Sequence, residues 1–241
     1  MLPDWLSRTA LLLDKNQINQ LHKAHVLVVG LGGVGAYAVE MLCRAGIYNL
    51  TLVDGDRIET SNRNRQLPAL LSQEGRYKTE VLKERCLDIN PEANIQIITE
   101  FLKDNRIEEV FDLATYDYVV DAIDSLSPKV HLIIESIKRN IPIISAMGAG
   151  GKLHPSYIQV ADISKTYQCP LAAAVRKRLR KKGVFKGIKT VFSTEPPNNK
   201  EIETSYKNIE NHQNTQGTIS FLPAIFGCWC ASVCINDLIK D

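Results

Sequence analysis

Four glycines near the start of the chain have the spacing of a phosphate-binding turn. They are Gly30, Gly32, Gly33 and Gly35, a G-x-G-x-x-G pattern with one extra glycine. Glycine lets a backbone approach an anion closely, and the free N–H groups at a helix N-terminus favour negative charge. Because a short apolar run precedes these glycines and a helical pattern follows them, the sequence predicts a nucleotide-phosphate site here.

Charged residues further along the chain could act at the same site. Asp54 ends the second apolar run, where a carboxylate can accept hydrogen bonds from ribose hydroxyls. Arg65 and Lys78 could both reach a triphosphate, and Asp124 is a candidate Mg²⁺ ligand because hard cations prefer oxygen. These groups favour ATP over NAD. We also expect Asp121 at this crevice, because ligands bind beyond the carboxyl ends of parallel strands.

The elements that would position these residues alternate between strands and helices from residue 25 to residue 147. The predicted strands are His25–Val29, Asn49–Val53, Asn94–Ile98, Tyr118–Val120 and Ile141–Ala146. The predicted helices are Val34–Ala45, Lys78–Asn90 and a stretch that begins at Pro128. Asp14 and Gln17 have the spacing of a capping box on a short helix before the first strand.

The second half of the chain has a different pattern. Tyr157–Val160 is typical of a strand in a peripheral antiparallel sheet, and 195–216 is typical of a polar loop. Ile219–Ile235 is an uncharged apolar run that contains Pro223 and is shorter than the ~20 residues of a membrane span. It predicts a buried return helix with no stable membrane insertion. The whole pattern predicts an α/β, doubly wound, Rossmann-like fold with a mostly parallel sheet, a small antiparallel extension and a buried C-terminal helix.

A basic helix is predicted over Leu171–Lys182. Between Asp162 and Glu195 the chain has no acidic residue and nine Lys or Arg, although the net charge of the whole chain is only +2. Six of these cations lie close together: Arg176, Lys177, Arg178, Arg180, Lys181 and Lys182. The cluster is either a solvated helix face or a surface for nucleic acid.

Length and cysteine content set broad limits on the class of protein. A chain of 241 residues can form one large α/β domain. The N-terminus lacks a secretion signal, and the six cysteines include no C-x-x-C pair. We therefore expect a cytoplasmic protein with reduced thiols. Cys228, Cys230 and Cys234 are close in sequence but do not have the spacing of a zinc site.

Together the motifs resemble the adenylating superfamily of ubiquitin-activating enzymes and bacterial sulfur-carrier activators. The segments that carry the resemblance are Gly30–Gly35, Asp54–Asp56, Ser61–Gln66, Lys78 and Asp121–Asp124. The resemblance implies that ATP with Mg²⁺ binds on the glycine turn. It also implies that a substrate carboxylate attacks the α-phosphate, which gives an acyl-adenylate and pyrophosphate.

Each matching residue takes an implied role from this resemblance. Gly33 would contact the phosphates and Asp54 the ribose, whereas Arg65 and Lys78 would lie on the phosphates. Asp124 would hold Mg²⁺. The other implied nucleotide-binding residues are Gly30, Gly32, Gly35, Asp56, Ser61, Asn62 and Asn64.

The second half resembles one branch of that superfamily, the tRNA threonylcarbamoyladenosine dehydratase family. The segments that carry this resemblance are Ala161–Thr166, Pro170–Gly183 and Val191–Pro196. That family activates the threonyl carboxylate of threonylcarbamoyladenosine beside the tRNA anticodon, and the modification then closes to a cyclic form with net loss of water. The resemblance implies that the basic helix contacts the tRNA backbone.

The resemblance also has implications for domains and assembly. It implies a single adenylating domain over residues 1–241, with a nucleotide-binding core over 25–147 and a substrate-binding and dimerisation extension over 148–241. Arg8, in a Trp-Leu-Ser-Arg-Thr segment, resembles a family arginine that reaches into the partner subunit's site, which implies a homodimer with catalytic Arg8 acting across the interface.

Two other functions stay open at this point. The chain could adenylate the C-terminus of a ubiquitin-like sulfur-carrier protein, although such activators commonly hold zinc with two C-x-x-C pairs that this chain lacks. It could instead be an NAD-binding regulator without catalysis. Proteins of a sulfur-transfer pathway are candidate partners in addition to tRNA.

Overall fold

One seven-stranded sheet forms the centre of the molecule. The structure is a computed structural model that describes residues 2–103, 105–196 and 217–240. The strands are β1 (His25–Val29), β2 (Asn49–Val53), β3 (Asn94–Ile98), β4 (Tyr118–Asp121), β5 (Ile143–Ala146), β6 (Ile158–Asp162) and β7 (Lys189–Ser193). Their order is β3-β2-β1-β4-β5-β7-β6, and every neighbouring pair is parallel except β6 with β7. The predicted fold class is confirmed.

Helices cover both faces of this sheet. They are α1 (Ser7–Ala10), α2 (Lys15–Lys23), α3 (Gly35–Arg44), α4 (Lys78–Ile89), α5 (Asn105–Asp112), α6 (Leu126–Lys138), α7 (Pro170–Arg180) and α8 (Phe221–Leu238). One core lies between the sheet and α2, α3, α4 and α8, and the other between the sheet and α5, α6 and α7. The chain reverses its strand order between β1 and β4, so a crevice opens there beyond the carboxyl ends of the strands.

The predicted capping box is present, whereas several element boundaries differ from those predicted from sequence. The capping box before α2 is present, with Gln17 N–H donating to Asp14 at 2.9 Å and the Gln17 side chain accepting from the backbone of Asp14. Helix α6 begins at Leu126 rather than at Pro128, because a proline is tolerated anywhere in the first turn, where backbone N–H groups have no helical partner. Helix α5 and strand β7 have no counterpart among the predicted elements.

Helix α8 returns across one face of the sheet, as predicted, and extends three residues further than the apolar run. At Gly227 the helix lies so close to α3 that a β-carbon would stand 2.3 Å from the Val34 carbonyl oxygen. By length and composition Phe221–Leu238 would also be able to cross a membrane, with 39% of its 18 residues buried inside the protein. The face of α8 that is not buried carries Phe221 and Trp229, which are 42% and 43% exposed.

Candidate active site

The glycine turn between β1 and α3 requires glycine at two of its positions, Gly30 and Gly35. Gly30 has φ +88°, and a β-carbon there would lie 2.7 Å from the Ala122 carbonyl oxygen. A β-carbon on Gly35 would lie 1.7 Å from the carbonyl oxygen of Gly30 itself. The turn therefore passes tightly into the N-terminus of α3, and a helix N-terminus suits a phosphate.

The space above this turn is closed by the C-terminal helix. A β-carbon on Gly33 would lie 2.9 Å from Cβ of Pro223 in the first turn of α8, and 3.3 Å from the Arg65 carbonyl oxygen. Pro223 also lines the cavity beside the glycines, so the first turn of α8 forms part of the site. A side chain at position 33 would therefore push α8 or the turn that carries Arg65 away from the glycines.

Asp54 stands at the end of β2 and lines the same cavity. Its Oδ2 accepts from the Leu31 N–H at 2.6 Å and its Oδ1 from the Asp56 N–H at 2.7 Å. Burial raises the pKa of Asp54, and the positive charge of Lys78 opposes that rise. Each carboxylate oxygen has a second lone pair, so Asp54 can still accept from two ribose hydroxyls.

Lys78 and Arg65 place two positive charges beside the turn. The Lys78 side chain is only 4% exposed, and its Nζ lies 2.6 Å from Asp56 Oδ2. Arg65 donates from Nη1 to the Ser61 carbonyl oxygen at 3.0 Å and to Asn64 Oδ1 at 2.8 Å. Since both arginine contacts lie on one nitrogen, the rest of the guanidinium can turn toward a phosphate.

The turn that carries Arg65 is itself held by polar contacts. Asn62 is buried, and its Oδ1 accepts from the Glu59 N–H at 3.1 Å. Asn64 donates from Nδ2 to the Thr218 carbonyl oxygen at 2.9 Å, which links this turn to the segment before α8. Asn64 and Ser61 therefore position Arg65.

One cavity of about 1850 Å³ brings most of the predicted residues together. It is lined by Gly30, Gly32, Gly33, Asp54, Asp56, Asn62, Arg65, Lys78 and Asp124. Its volume exceeds the ~300–1,000 Å³ of an ordinary small-molecule pocket, so it has room for a second ligand beside a nucleotide. Among the described residues that form its walls, the predicted Gly35, Ser61, Asn64 and Arg8 do not appear.

The structure corrects the expectation for Asp121. This residue ends β4, but its side chain is fully buried instead of facing the crevice. Its Oδ2 lies 2.8 Å from Lys129 Nζ and accepts from Ser145 Oγ at 2.5 Å. Asp124, three residues later, is the acid from this strand end that lines the cavity.

The basic helix lies closer to the nucleotide than its place in the sequence indicates. Arg178, Lys181 and Lys182 line the same cavity as the glycine turn, because α7 packs beside α6 at the carboxyl edge of the sheet. Arg176 instead faces inward and donates to the Thr166 carbonyl oxygen at 2.8 Å. Lys177 and Arg180 are exposed.

Sequence reasoning missed several residues of the cavity wall. Phe101 follows β3 and is 62% exposed, and the loop Gly148–Gly150 follows β5. After this loop, the carboxylate of Glu195 accepts from the N–H groups of Leu153 at 3.0 Å and His154 at 2.9 Å, which holds the backbone of these two residues. The loops beyond β3 and β5 could have been found by extending the strand-end argument to every parallel strand.

Two observations test whether ATP fits these residues. Gly33 lines the cavity, and the absence of a side chain there lets the turn lie in close contact with Pro223 and Arg65. Gln66 also lines the cavity, and its Oε1 is buried with no hydrogen-bond partner within the described part of the chain. Such an acceptor suits a hydroxyl or amino group of a ligand. Both features fit a nucleotide on the turn.

Two sets of side chains could hold a divalent cation. Asp124 offers carboxylate oxygen beside the place for phosphates, and Mg²⁺ is bound in this way by one or two carboxylates plus substrate phosphates. Glu108, His131 and Glu135 also bring their ligand atoms within 4.8 Å of one another. At that second cluster, Lys138 Nζ already lies 2.5 Å from Glu135 Oε1 and supplies positive charge.

Comparisons with known proteins agree on one group of relatives. Residues 6–241 match the model of the ThiF family. The tRNA threonylcarbamoyladenosine dehydratase of Bacillus subtilis is 39% identical over 241 residues, which covers 98% of this chain and 94% of the relative. The crystal structure of Escherichia coli tRNA N6-threonylcarbamoyladenosine dehydratase, TcdA, in complex with AMP superposes with a TM-score of 0.88 at 35% identity, covering 99% of this chain and 97% of that one. The same enzyme in complex with ATP gives a TM-score of 0.86.

Proposed function

Because the chain belongs to the ThiF family, we propose that it is an ATP-dependent tRNA threonylcarbamoyladenosine dehydratase. The observation that carries the proposal is that the glycine turn, Asp54, Lys78 and Asp124 line one cavity together with cations of the basic helix. The dehydratases similar to this chain include structures with AMP and with ATP, which supports ATP as its nucleotide.

The reaction class follows from these groups. Bound ATP supplies the α-phosphate that the threonyl carboxylate attacks, which yields an acyl-adenylate and pyrophosphate. Lys78 and Arg65 stabilise negative charge as it moves onto the pyrophosphate, and the N–H groups of the glycine turn hold the phosphates in line. The carbamoyl group of the modification then attacks the activated carbonyl carbon and gives up a proton, and AMP leaves with one carboxylate oxygen. That transfer accounts for the net loss of water.

Magnesium has a place in this proposal through Asp124. Its carboxylate would bind Mg²⁺ together with phosphate oxygens, and the ion would neutralise charge on the departing pyrophosphate. Asp124 stands on the turn after β4 and lines the same cavity as the glycine turn. Among the described carboxylates, Asp124 is the one that we assign to Mg²⁺.

The basic side chains on the cavity wall support tRNA as the second ligand. Arg178, Lys181 and Lys182 lie where a nucleic acid could place one nucleoside in the cavity and keep its backbone outside. Lys177 and Arg180 extend this positive surface, whereas Arg176 is committed to Thr166. Phosphate contacts of this kind supply affinity without reading sequence.

Replacing Arg178, Lys181 and Lys182 together by alanine is expected to weaken tRNA binding and flatten its salt dependence. Three lost phosphate contacts should reduce the slope of log K against log salt concentration by about 2 to 3. Filter binding at several salt concentrations measures this slope. The control replaces Lys15, Lys23 and Lys83, which do not line the cavity, and so makes the same change in net charge. A wild-type slope in the cavity variant would leave the basic helix as a solvated face.

We also propose a homodimer in which Arg8 serves the partner's site. Leu6 packs against Gly46, just past the C-terminal end of α3, whereas the glycine turn lies at the N-terminal end of that helix. The ten residues of α3 span about 15 Å, so Arg8 stands on the far side from its own cavity. The exposed apolar face of α8, with Phe221 and Trp229, offers a surface for a second copy.

Mixing two inactive proteins tests the shared site. Arg8→Ala removes the arginine from one protomer, and Asp124→Ala inactivates the other protomer's own cavity. A mixed dimer then has one complete site of two, so purified heterodimers should have about half of the wild-type activity. Heterodimers isolated with two affinity tags provide the sample. Purified heterodimers without activity would contradict the shared site.

Other features of the proposal concern the cellular context. The part 148–241 would supply the surfaces for tRNA and for the second protomer, and residues 25–147 would hold the nucleotide. The protein would act in the cytoplasm, without membrane insertion, beside a sulfur-transfer pathway. Adenylation of a carrier protein is the alternative, and it is distinguished by whether tRNA or a Gly-Gly-ended protein stimulates pyrophosphate release.

A further inference from the structure

A fully buried ion pair lies directly beneath the candidate active site. Lys129 Nζ is 2.8 Å from Asp121 Oδ2, and neither side chain is exposed at all. Removing two charges from water costs several kcal/mol for each ion, and mutual attraction recovers this cost only when further hydrogen bonds satisfy both groups. The partners of this pair therefore indicate what it stabilises.

The remaining contacts of the pair converge on the backbone of one residue, Ile123. Lys129 Nζ donates to the Ile123 carbonyl oxygen at 2.7 Å, and Asp121 Oδ1 accepts from the Ile123 N–H at 3.1 Å. Ser145 Oγ on β5 donates to Asp121 Oδ2 at 2.5 Å. Ile123 is thus held through both its N–H and its C=O groups.

The same turn is fixed from the side of the glycines. The Ala122 N–H donates to the Val29 carbonyl oxygen at 2.9 Å, and the Ala122 carbonyl oxygen lies against Gly30. The backbone of residues 122 and 123 is therefore fastened between β1 and the ion pair. Asp124 is the next residue, and its carboxylate lines the cavity.

We propose that Lys129 is a positioning residue for adenylation, and that its ion pair with Asp121 holds the Ala122–Ile123 turn so that Asp124 meets Mg²⁺-ATP in one orientation. Lys129 has no exposed surface, so it cannot touch a ligand and acts through the backbone. The inference rests on the proposed function in one respect, namely that Asp124 binds the Mg²⁺ of bound ATP. A misplacement of about 1 Å in such a group can cost 100-fold in rate.

The test removes both charges at once, because removing one would leave the other buried and unpaired. The double variant Lys129→Met with Asp121→Asn keeps similar side-chain sizes. Ser145→Ala is a milder variant that keeps the ion pair and removes one hydrogen bond, in case the double variant does not fold. Glu40→Gln is the matched control, because Glu40 is a nearly buried acid paired with Arg44 and Arg85 on the helices α3 and α4, off the cavity wall.

Two measurements need only ATP and Mg²⁺, so they stay informative whatever the acyl substrate is. Hydrogen exchange at the amides of Ile123 and Asp124 should become about tenfold faster in the double variant, and less so in Ser145→Ala. Calorimetric titration should show that Mg²⁺ no longer strengthens ATP binding, while affinity for ATP without Mg²⁺ stays within about twofold. In turnover with Mg²⁺, kcat should fall and the KM for ATP should rise, because Mg²⁺ no longer strengthens ATP binding.

The control separates positioning from general stability. Glu40→Gln should lower the melting temperature without changing exchange at Ile123 or the effect of Mg²⁺. Unchanged exchange and an unchanged Mg²⁺ effect in a folded double variant would overturn the proposal. An equal loss of the Mg²⁺ effect in Glu40→Gln would also overturn it.

Discussion

Replacing Lys78 by methionine is expected to lower the rate of adenylation by about 10²–10³-fold, which corresponds to ~2.7–4 kcal/mol of transition-state stabilisation. Lys78 is almost completely buried, and its ammonium stands 2.6 Å from Asp56 at the wall of the cavity. In this low-dielectric position a charge acts strongly on phosphates that lie beside it. Methionine keeps the length of the side chain and leaves only the half-exposed Asp56 without its partner, so the fold should survive.

The rate is measured as AMP formation with saturating tRNA substrate. Lys83→Met is the control, because Lys83 lies on the same helix α4 but does not line the cavity. It should retain the wild-type rate and a similar melting temperature. A Lys78→Met protein that is folded and adenylates at the wild-type rate would remove Lys78 from the chemistry.

Asp54→Ala is expected to weaken ATP binding by about 10²–10⁴-fold, the effect of losing two hydrogen bonds to a charged acceptor worth roughly 1.5–3 kcal/mol each. The loss should appear in the dissociation constant for ATP, since the ribose is bound before and during the reaction alike. Burial raises the pKa of Asp54, so wild-type affinity should begin to fall at a higher pH than for an ordinary aspartate. The affinity of Asp54→Ala for ATP should not show this fall as the pH is lowered.

Calorimetric titration of ATP across a pH series measures both effects. The Leu31 and Asp56 N–H groups lose an acceptor in this variant, so its melting temperature must be recorded alongside. Asp88→Ala, an exposed acid on α4, is the control. Wild-type affinity in a folded Asp54→Ala protein would place the ribose elsewhere.

Local signals in the sequence predicted the nucleotide half of the molecule closely. Strands β1, β2 and β3 have the predicted bounds, because each is a five-residue stretch followed or preceded by clear turn residues. The glycine turn was predictable for a related reason. Close backbone contacts at Gly30 and Gly35 exclude a side chain, and only glycine satisfies them.

The sequence did not predict those parts of the site that depend on side-chain direction or on tertiary packing. Asp121 and Asp124 are both acids at one strand end, yet only the structure shows that one is paired with Lys129 inside the core. Arg178 lines the nucleotide cavity because α7 packs on α6. The hydrophobic periodicity of the sequence does not predict that contact between helices. Arg176, on the same helix, faces the opposite way and bonds to Thr166.

Weak local signals explain the elements that were missed. Helix α5 has only eight residues, of which Ile107, Val110 and Phe111 are buried, so its apolar period repeats barely twice. Strand β7 begins at an exposed lysine and sits between β5 and the antiparallel β6. Both elements depend on long-range contacts with the sheet rather than on their own propensity.

Nucleoside analysis of the product tests the central claim most directly. tRNA that carries threonylcarbamoyladenosine is incubated with the protein, ATP and Mg²⁺ and is then digested to nucleosides. The masses of these nucleosides are measured by mass spectrometry. We expect a nucleoside lighter by one water, formed only with ATP and accompanied by AMP and pyrophosphate, and formed about 10²–10³-fold more slowly with Lys78→Met. Unchanged threonylcarbamoyladenosine after incubation with folded wild-type protein that binds ATP would contradict the assignment as a dehydratase.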